Sequence, residues 1–342
     1  MTVKARVGAL AGGIAGLGAG LVAQKRIVDS RHKGDPDANE PFGQRRGERS
    51  QMLERPGGAM LFVEESGPPT GGAIVFVHGS GLRSDAWHYQ LSALGGHRRV
   101  FYDLRGHGRS TPKGHLPLTF SQLAGDLAAV LEACDVTEGV VVGHSIGGMI
   151  ALQLCKEHSE LLKSRVRGVV LVSTTHGPAA ETLAGGGVLA RLERLSRHPF
   201  DFLGTRAERL ERLRALIRPS NAAFLAVSVA GFGTGASAKQ IDFTYDMLAE
   251  TPLDVMFDLI RCFRHFDVTD VLRDIAVPCL VIGGTHDRLT VAGASAYIAG
   301  RLPRGDLVLL EGCGHMPMLE RHDEFNGLLE AFVEKLFTER SN

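Results

Sequence analysis

The sequence predicts an α/β protein built on a mostly parallel, doubly wound sheet, with a helical cap inserted into it. From residue 58 onwards, short runs rich in β-branched residues alternate with stretches of helical periodicity, which is the pattern of βαβ units. The later runs are almost entirely apolar, as in parallel strands that are covered on both faces. The stretch between "LVSTTHG" and "PCLVIGG" has helical patterns without a strand pattern, and it is too long for an ordinary loop.

The individual elements and domains follow from these runs. The predicted strands are "AMLFVEE" (59–65), "GAIVFVHG" (72–79), "RRVFYDL" (98–104), "GVVVG" (139–143), "VRGVVLVS" (166–173), "PCLVIGG" (278–284) and "DLVLLEG" (306–312). Helical spacing is found between strands at 121–134 and 146–158, and within the strandless stretch at 188–198, 205–218, 221–230, 239–250 and 252–265. The predicted domains are an apolar glycine-rich segment (1–24), a polar linker (25–57), a core (58–175 and 266–338) and a helical cap (176–265).

Residues 7–23 form an uncharged run in which glycine recurs every fourth residue from Gly8 to Gly20. On a helix this spacing makes a smooth stripe against which a second helix packs closely in bilayers. The run is about 17 residues long, the lower limit for a membrane-spanning helix. A membrane anchor, a cleaved signal peptide and a flexible tail remain open. The positive charge that begins with Lys25 and Arg26 favours a membrane-associated protein whose main domain is cytoplasmic, with a soluble cytoplasmic or a secreted protein as alternatives.

The composition excludes several classes of protein. The 38 Lys and Arg residues balance 38 Asp and Glu residues, so no net charge favours a nucleic acid partner. The five cysteines include no CxxC pair, which predicts buried reduced thiols instead of a disulfide framework. No HExxH, P-loop or zinc-finger spacing occurs, so no metal site is predicted. The charged stretch 24–50 predicts a tether that is disordered or lies loosely on the main domain.

The stretch "VVVGHSIGGM" (140–149) places Ser145 between two glycines, directly after a valine strand and before an apolar helix. A G-x-S-x-G match alone is weak in a chain with 43 glycines. The strand–turn–helix setting is what a nucleophile elbow requires. Larger residues at Gly143 and Gly147 would collide across so tight a turn. The motif therefore predicts that Ser145 stands on a strained, exposed bend.

Four more stretches accompany this motif, and with it they make the chain resemble the α/β-hydrolase superfamily over about residues 58–338. They are "FVHGSGLRSDAW" (76–87), "YDLRGHGRS" (102–110), "VIGGTHDRLT" (281–290) and "GCGHMPMLE" (312–320). The chain looks like a capped member of the esterase or lipase kind. In the α/β-hydrolase fold the cap follows the sixth strand, so the resemblance implies that position for the insertion.

The resemblance also implies a catalytic triad of Ser145, Asp287 and His315, in the chain order that this fold uses. A serine hydroxyl is a poor nucleophile near neutral pH and needs an adjacent base, which would be His315. The acid holds the imidazole in the right tautomer, and in this superfamily it follows either of two strands. The earlier position, "VSTTHG" (172–177), has no carboxylate, and the later one carries Asp287.

The same resemblance implies the surroundings of the nucleophile. The oxyanion hole would consist of the backbone N–H of Ile146 and one from Ser80 or Gly81, a choice that the sequence leaves open. His78 and His144 belong to motif turns, where they would be structural or line the pocket. Trp87, the only tryptophan, lies just past the HG loop and is also a candidate for the substrate pocket.

A serine at the elbow, where epoxide hydrolases and haloalkane dehalogenases of this fold carry aspartate, implies acyl transfer. We expect a serine hydrolase that cleaves hydrophobic or lipid-like carboxylic esters without a metal or organic cofactor. Membrane contact would come through residues 7–23. Acyltransferases, thioesterases, carbon–carbon hydrolases and cofactor-free peroxidases reuse the same fold and remain alternatives. A non-catalytic binding protein is disfavoured, because all three triad residues are present.

Overall fold

The computed structural model describes residues 22–69, 72–111, 113–116, 118–177, 220–263 and 266–338. The strands are β1 (Arg49–Arg55), β2 (Ala59–Ser66), β3 (Ala73–Val77), β4 (Arg98–Tyr102), β5 (Gly139–His144), β6 (Val166–Val172), β7 (Cys279–Gly284) and β8 (Gly305–Leu310). The helices are α1 (22–32), α2 (Phe120–Ala133), α3 (Ile146–Glu157), α4 (Ser159–Arg165), α5 (Asn221–Gly231), α6 (Ala238–Glu250), α7 (Leu253–Phe263), α8 (Ala292–Ala299), α9 (Pro317–Glu320) and α10 (His322–Thr338).

The eight strands form one sheet in the order β1-β2-β4-β3-β5-β6-β7-β8. The pairs β1–β2 and β2–β4 are antiparallel, and all the others are parallel. The predicted α/β class with a mostly parallel sheet is therefore confirmed, and all seven predicted strands are present. The helices α5–α7, which we call the insertion helices, come after β6, the sixth strand of the structure. The predicted helices at 188–198 and 205–218 lie outside the described residues.

Side chains of the central strands alternate between two packed layers. On one face of the sheet, Val75 and Val77 of β3 pack in the core that α2 and α3 complete. On the other face, Ile74 and Phe76 pack in a core with Trp87 and α10. Burial on both faces explains why these strands read as continuous apolar runs. The strand ends that carry the candidate residues consequently meet at one edge, because β5, β7 and β8 run parallel.

The region predicted as a loose polar linker differs from the expectation. Residues 22–32 are helical, and Val28 is buried. His32 Nε2 lies 2.7 Å from Oδ2 of Asp242 on α6, and the ring of Phe42 stacks on Phe243 at 4.8 Å. The segment therefore docks on the insertion helices. Isolated contacts of this kind hold it, and they leave no apolar periodicity in the sequence.

The strand β1 was also missed by the sequence analysis. Every residue of "RSQMLER" is exposed or only partly buried, because β1 pairs with β2 at the edge of the sheet. Such a strand needs no apolar run. The uncharged run at 7–23 lies outside the described residues except for its last two positions. Within the described ranges, no helix combines the length and the apolar character that crossing a bilayer requires.

Candidate active site

Ser145 lies in the tight turn between β5 and α3, at the carboxyl edge of the sheet. Its backbone is at φ 53° and ψ −118°, a left-handed conformation that costs a non-glycine residue about 1–3 kcal/mol. Two hydrogen bonds hold it there: Ser145 N donates to the carbonyl of Val172 at 2.9 Å, and Thr174 Oγ1 donates to the Ser145 carbonyl at 2.6 Å. The strained bend predicted from the sequence is thus present.

The glycines around Ser145 are required by close approach of the backbone. A Cβ atom on Gly143 would overlap the carbonyl oxygen of Gly147, and one on Gly147 would overlap the carbonyl oxygen of Val77. At Gly148 a Cβ atom would lie 2.6 Å from Cβ of Thr174. Backbone atoms cannot move aside as a flexible side chain can. The predicted collision at positions 143 and 147 is therefore confirmed.

His315 and Asp287 form a hydrogen-bonded pair in the loops after β8 and β7. His315 Nδ1 lies 2.8 Å from Asp287 Oδ2, and both residues are buried. Asp287 also accepts from the backbone N–H groups of Leu289 and Thr290, at 2.7 and 2.9 Å, and from Thr290 Oγ1 at 2.7 Å. These contacts fix the carboxylate on three sides.

Charge and hydrogen bonds keep Asp287 ionised. Burial works to raise its pKa, but the facing His315 and the donors His315, Thr290 and Leu289 outweigh burial, so the pKa lies below its ordinary value. An ionised carboxylate only accepts, so Nδ1 of His315 donates to it. With Nδ1 protonated in the neutral ring, Nε2 is free to accept a proton.

His315 is held next to the nucleophile by the neighbour of Ser145. His144 Nε2 donates to the carbonyl of His315 at 2.8 Å, and the centroids of the two rings are 4.8 Å apart. Burial, followed by the charge of His315, lowers the pKa of His144 to about 3, so its ring is neutral. The structure thus places the His315–Asp287 pair beside the turn that contains Ser145.

The HG loop after β3 faces the turn that contains Ser145. Gly81 N donates to His107 Nε2 at 3.1 Å, and His107 Nδ1 donates to the carbonyl of Arg105 at 3.1 Å. Burial lowers the pKa of His107 to about 3, so the ring is neutral and Nε2 accepts. The N–H of Gly81 is therefore already engaged within the framework. No hydrogen bond from Ser80 N, the other candidate in this loop, is found within the described residues.

The three residues considered for the pocket are interior residues. His78 is fully buried; its Nδ1 donates to the Gly79 carbonyl at 2.8 Å, and its Nε2 accepts from Leu104 N at 2.8 Å. Trp87 is 1% exposed and packs against Phe76 at 5.0 Å. His144 is likewise 1% exposed. All three are therefore enclosed in the interior, and Trp87 and His144 also pack against each other, with ring centroids 6.4 Å apart.

Sequence reasoning missed two threonines that support the site. Thr290 bonds to Asp287 through both its N–H and its hydroxyl, and Thr174 bonds to the Ser145 carbonyl. The spacing Asp287-x-x-Thr290 is a signal that could have revealed the first, because Asp side chains commonly accept from backbone groups two and three residues later. Among the described residues, no cluster of three or more His, Cys, Asp or Glu is arranged to hold a metal ion.

Comparisons with known proteins relate this chain to enzymes. It is 31% identical over 290 residues to a non-heme chloroperoxidase of Streptomyces lividans, across 81% of this chain and 97% of the relative. It is 27% identical over 273 residues to a pimeloyl-acyl-carrier-protein methyl ester esterase of Yersinia enterocolitica, across 77% of this chain and 93% of the relative. A solved thermophilic esterase from Thermogutta terrifontis superposes with a TM-score of 0.67 at 22% identity, covering 84% of this chain and 99% of that one, which shows a shared fold.

The family itself follows from the extent of the match. The sequence matches the alpha/beta hydrolase family over residues 74–328, which is well over half of its 342 residues. The matched range contains the HG loop, the elbow at Ser145 and the loops that carry Asp287 and His315. The chain therefore belongs to the alpha/beta hydrolase family and is an enzyme of that family.

Proposed function

We propose that the protein is a serine hydrolase that cleaves carboxylic esters through Ser145, His315 and Asp287. The observation that carries this proposal is the His315–Asp287 pair, 2.8 Å apart, beside a serine held at φ 53°. A strained nucleophile, a base and an orienting acid at the ends of parallel strands are the parts that acyl transfer requires. The names of the relatives, which include a methyl ester esterase, support an ester substrate.

In the proposed reaction, Nε2 of His315 takes the hydroxyl proton of Ser145 as Oγ attacks the ester carbonyl carbon. The backbone N–H groups of Ile146 and Ser80 bind the oxyanion, and each such donor is worth about 3–4 kcal/mol to the transition state. Collapse of the intermediate breaks the bond to the alcohol, which leaves with the proton from His315. Water then attacks the acyl carbon while His315 takes its proton. The bond to Ser145 Oγ breaks, His315 returns the proton to Oγ, and the carboxylic acid leaves.

The insertion helices support a hydrophobic substrate. Leu248 of α6 and Met256 of α7 lie against the HG loop: a Cβ atom on Gly81 would come 3.4 Å from Met256 Sδ, and Ser80 Oγ donates to the same sulfur at 3.7 Å. Both side chains are only partly buried, so they offer apolar surface next to the oxyanion loop. We therefore propose that these helices form a cap that receives an apolar acyl group.

A cofactor-free peroxidase activity is the second candidate. It is favoured by the similarity to a non-heme chloroperoxidase over 97% of that relative. The same acyl-enzyme would then transfer its acyl group to hydrogen peroxide, giving a peroxy acid and free Ser145. The lipid-like substrate, the membrane contact through residues 7–23 and the cytoplasmic main domain stay predictions of the sequence.

A fluorophosphonate probe tests the nucleophile directly. We expect the intact mass of the wild-type protein to rise by one adduct and that of Ser145→Ala to stay unchanged. A series of p-nitrophenyl esters of increasing acyl length then measures the preferred chain, with and without hydrogen peroxide. A folded wild-type protein that forms no adduct would refute the proposal.

A further inference from the structure

The loop that carries His315 is fixed to the insertion through its backbone. We call residues 312–316 the histidine loop. We call residues 231–237, from the last residue of α5 to the residue before α6, the insertion loop. His315 N donates to the carbonyl of Gly231 at 2.9 Å. The insertion loop therefore contacts the very residue that would act as the base.

Close packing of glycines brings the two loops together. A Cβ atom on Gly314 would overlap Gly233 N and lie 2.7 Å from Cα of Phe232, and a Cβ atom on Gly233 would overlap the carbonyl oxygen of Gly312. The contact is thus made by backbone on backbone. In such a contact, any shift of the insertion loop is passed directly to the histidine loop.

Glu320, the last residue of α9, joins the two loops with one carboxyl group. Its Oε1 accepts from Gly314 N at 3.0 Å and from Met316 N at 3.4 Å, which are the residues on either side of His315. Its Oε2 accepts from Gly233 N at 2.7 Å. One oxygen therefore holds the histidine loop, and the other holds the insertion loop.

We propose that Glu320 is a positioning residue that fixes His315 against Asp287 and ties this geometry to the insertion loop. The proposal rests on the proposed function, in which His315 is the base. The carbonyl of His315 is held separately by His144. Glu320 supplies the remaining restraint on the two flanking N–H groups, so its loss leaves the ring attached but free to shift.

Loss of the Glu320 carboxylate should therefore lower the catalytic rate without weakening substrate binding. A displacement of about 1 Å in a catalytic group costs about 100-fold in rate. Glu320 lies behind the histidine loop and touches backbone groups, so substrate affinity does not depend on it. We expect Glu320→Ala to lower kcat about 100-fold with KM unchanged. Glu320→Gln keeps one acceptor oxygen, and we expect a loss of about tenfold.

The test uses the full chain and includes a readout that needs no turnover. The variants are Glu320→Ala and Glu320→Gln, with Asp267→Ala as the matched control, because Asp267 also accepts a backbone N–H, from Thr269 at 2.9 Å. Ester kinetics give kcat and KM. Proton NMR follows the low-field Nδ1–H signal of His315 in its bond to Asp287, which we expect to broaden or vanish in Glu320→Ala and to persist in Asp267→Ala.

The outcomes separate this proposal from the proposed function. Wild-type kcat together with an unchanged low-field signal in Glu320→Ala overturns the role of Glu320, as does an equal loss of kcat in Asp267→Ala. If Glu320→Ala does not fold, the isosteric Glu320→Gln decides, and wild-type kcat in that variant overturns the role. A wild-type protein without a Ser145 adduct defeats the proposed function, while the NMR signal still tests the positioning of His315.

Discussion

Nδ1 of His315 and Oδ2 of Asp287 are 2.8 Å apart in a site that buries both residues. His315 lies in the loop after β8 and Asp287 in the loop after β7. The pairing of these two strands in the sheet therefore sets the distance between the two residues. Because Asp287 is fixed by three further hydrogen bonds, it dictates which ring nitrogen of His315 carries the proton.

Replacing Asp287 with asparagine tests this control of the tautomer. The amide of Asp287→Asn can donate to Nδ1 and so favours the tautomer in which Nε2 cannot act as a base. We expect kcat for ester hydrolysis to fall about 10⁴-fold, as such a change does in serine proteases. Circular dichroism should stay that of the wild type. A loss below tenfold would show that another group orients His315.

The hydroxyl of Thr290 supports Asp287 and can be removed with little change of shape. Thr290→Val deletes the 2.7 Å bond to Oδ2, and we expect kcat to fall about tenfold, the equivalent of one hydrogen bond of about 1.4 kcal/mol. Thr244→Val is the matched control, because the buried Thr244 hydroxyl has no hydrogen-bond partner among the described residues. Equal kcat values for the two variants would contradict this role.

The glycine at position 147 is expected to contribute strongly to the stability of the fold. Gly147→Ala forces a Cβ atom into the carbonyl oxygen of Val77, and we expect a loss of about 3 kcal/mol or more in the free energy of unfolding. Gly125→Ala, within α2, is the control, since a Cβ atom there meets nothing within 4 Å. That change should stabilise the protein by about 0.5–1 kcal/mol, because alanine favours the helix. Urea unfolding of both variants measures the difference.

The pKa of Asp287 gives the stability of the protein an acid dependence. The pKa is lower in the folded chain than in the unfolded chain, so ionised Asp287 stabilises the fold above its unfolded pKa of about 3.9. This contribution is lost as the pH falls through the lower folded value. We therefore expect the difference in unfolding free energy between wild type and Asp287→Asn to be constant from about pH 5 to 7 and to shrink below about pH 4. If the difference grew as the pH fell, the pKa of Asp287 would be raised by folding and not lowered.

A feature of the site could be predicted from the sequence when the residues that define it are close together in the chain. The elbow could be predicted, because the valine strand, the two glycines and the apolar helix around Ser145 lie within a short stretch. The bond of Gly81 N to His107 could not, because His107 is 26 residues away from the HG loop in the sequence. The role proposed for Glu320 could not be predicted either, because its hydrogen-bond partner Gly233 is 87 residues away in the sequence.

The structure of the N-terminal region could not be predicted from the sequence either. Composition predicts disorder when few apolar residues are available to bury. The segment from α1 to Phe42 is ordered nevertheless. Glu40 and Phe42 contact His88 of the body of the protein. The side-chain contacts of Arg31 and His32 go to surfaces built by α5 and α6. Those contacts are visible only once the insertion helices are in place.

The docking of α1 also links this helix to the insertion helices. Arg31 and His32 hold α1 on them through Ser228 of α5 and Asp242 of α6, and Val22 lies about 9 Å before Val28 at the helical rise of 1.5 Å per residue. The described chain therefore begins beside the insertion helices. His32 contacts both α5 and α6, so a displacement of either insertion helix would also displace α1.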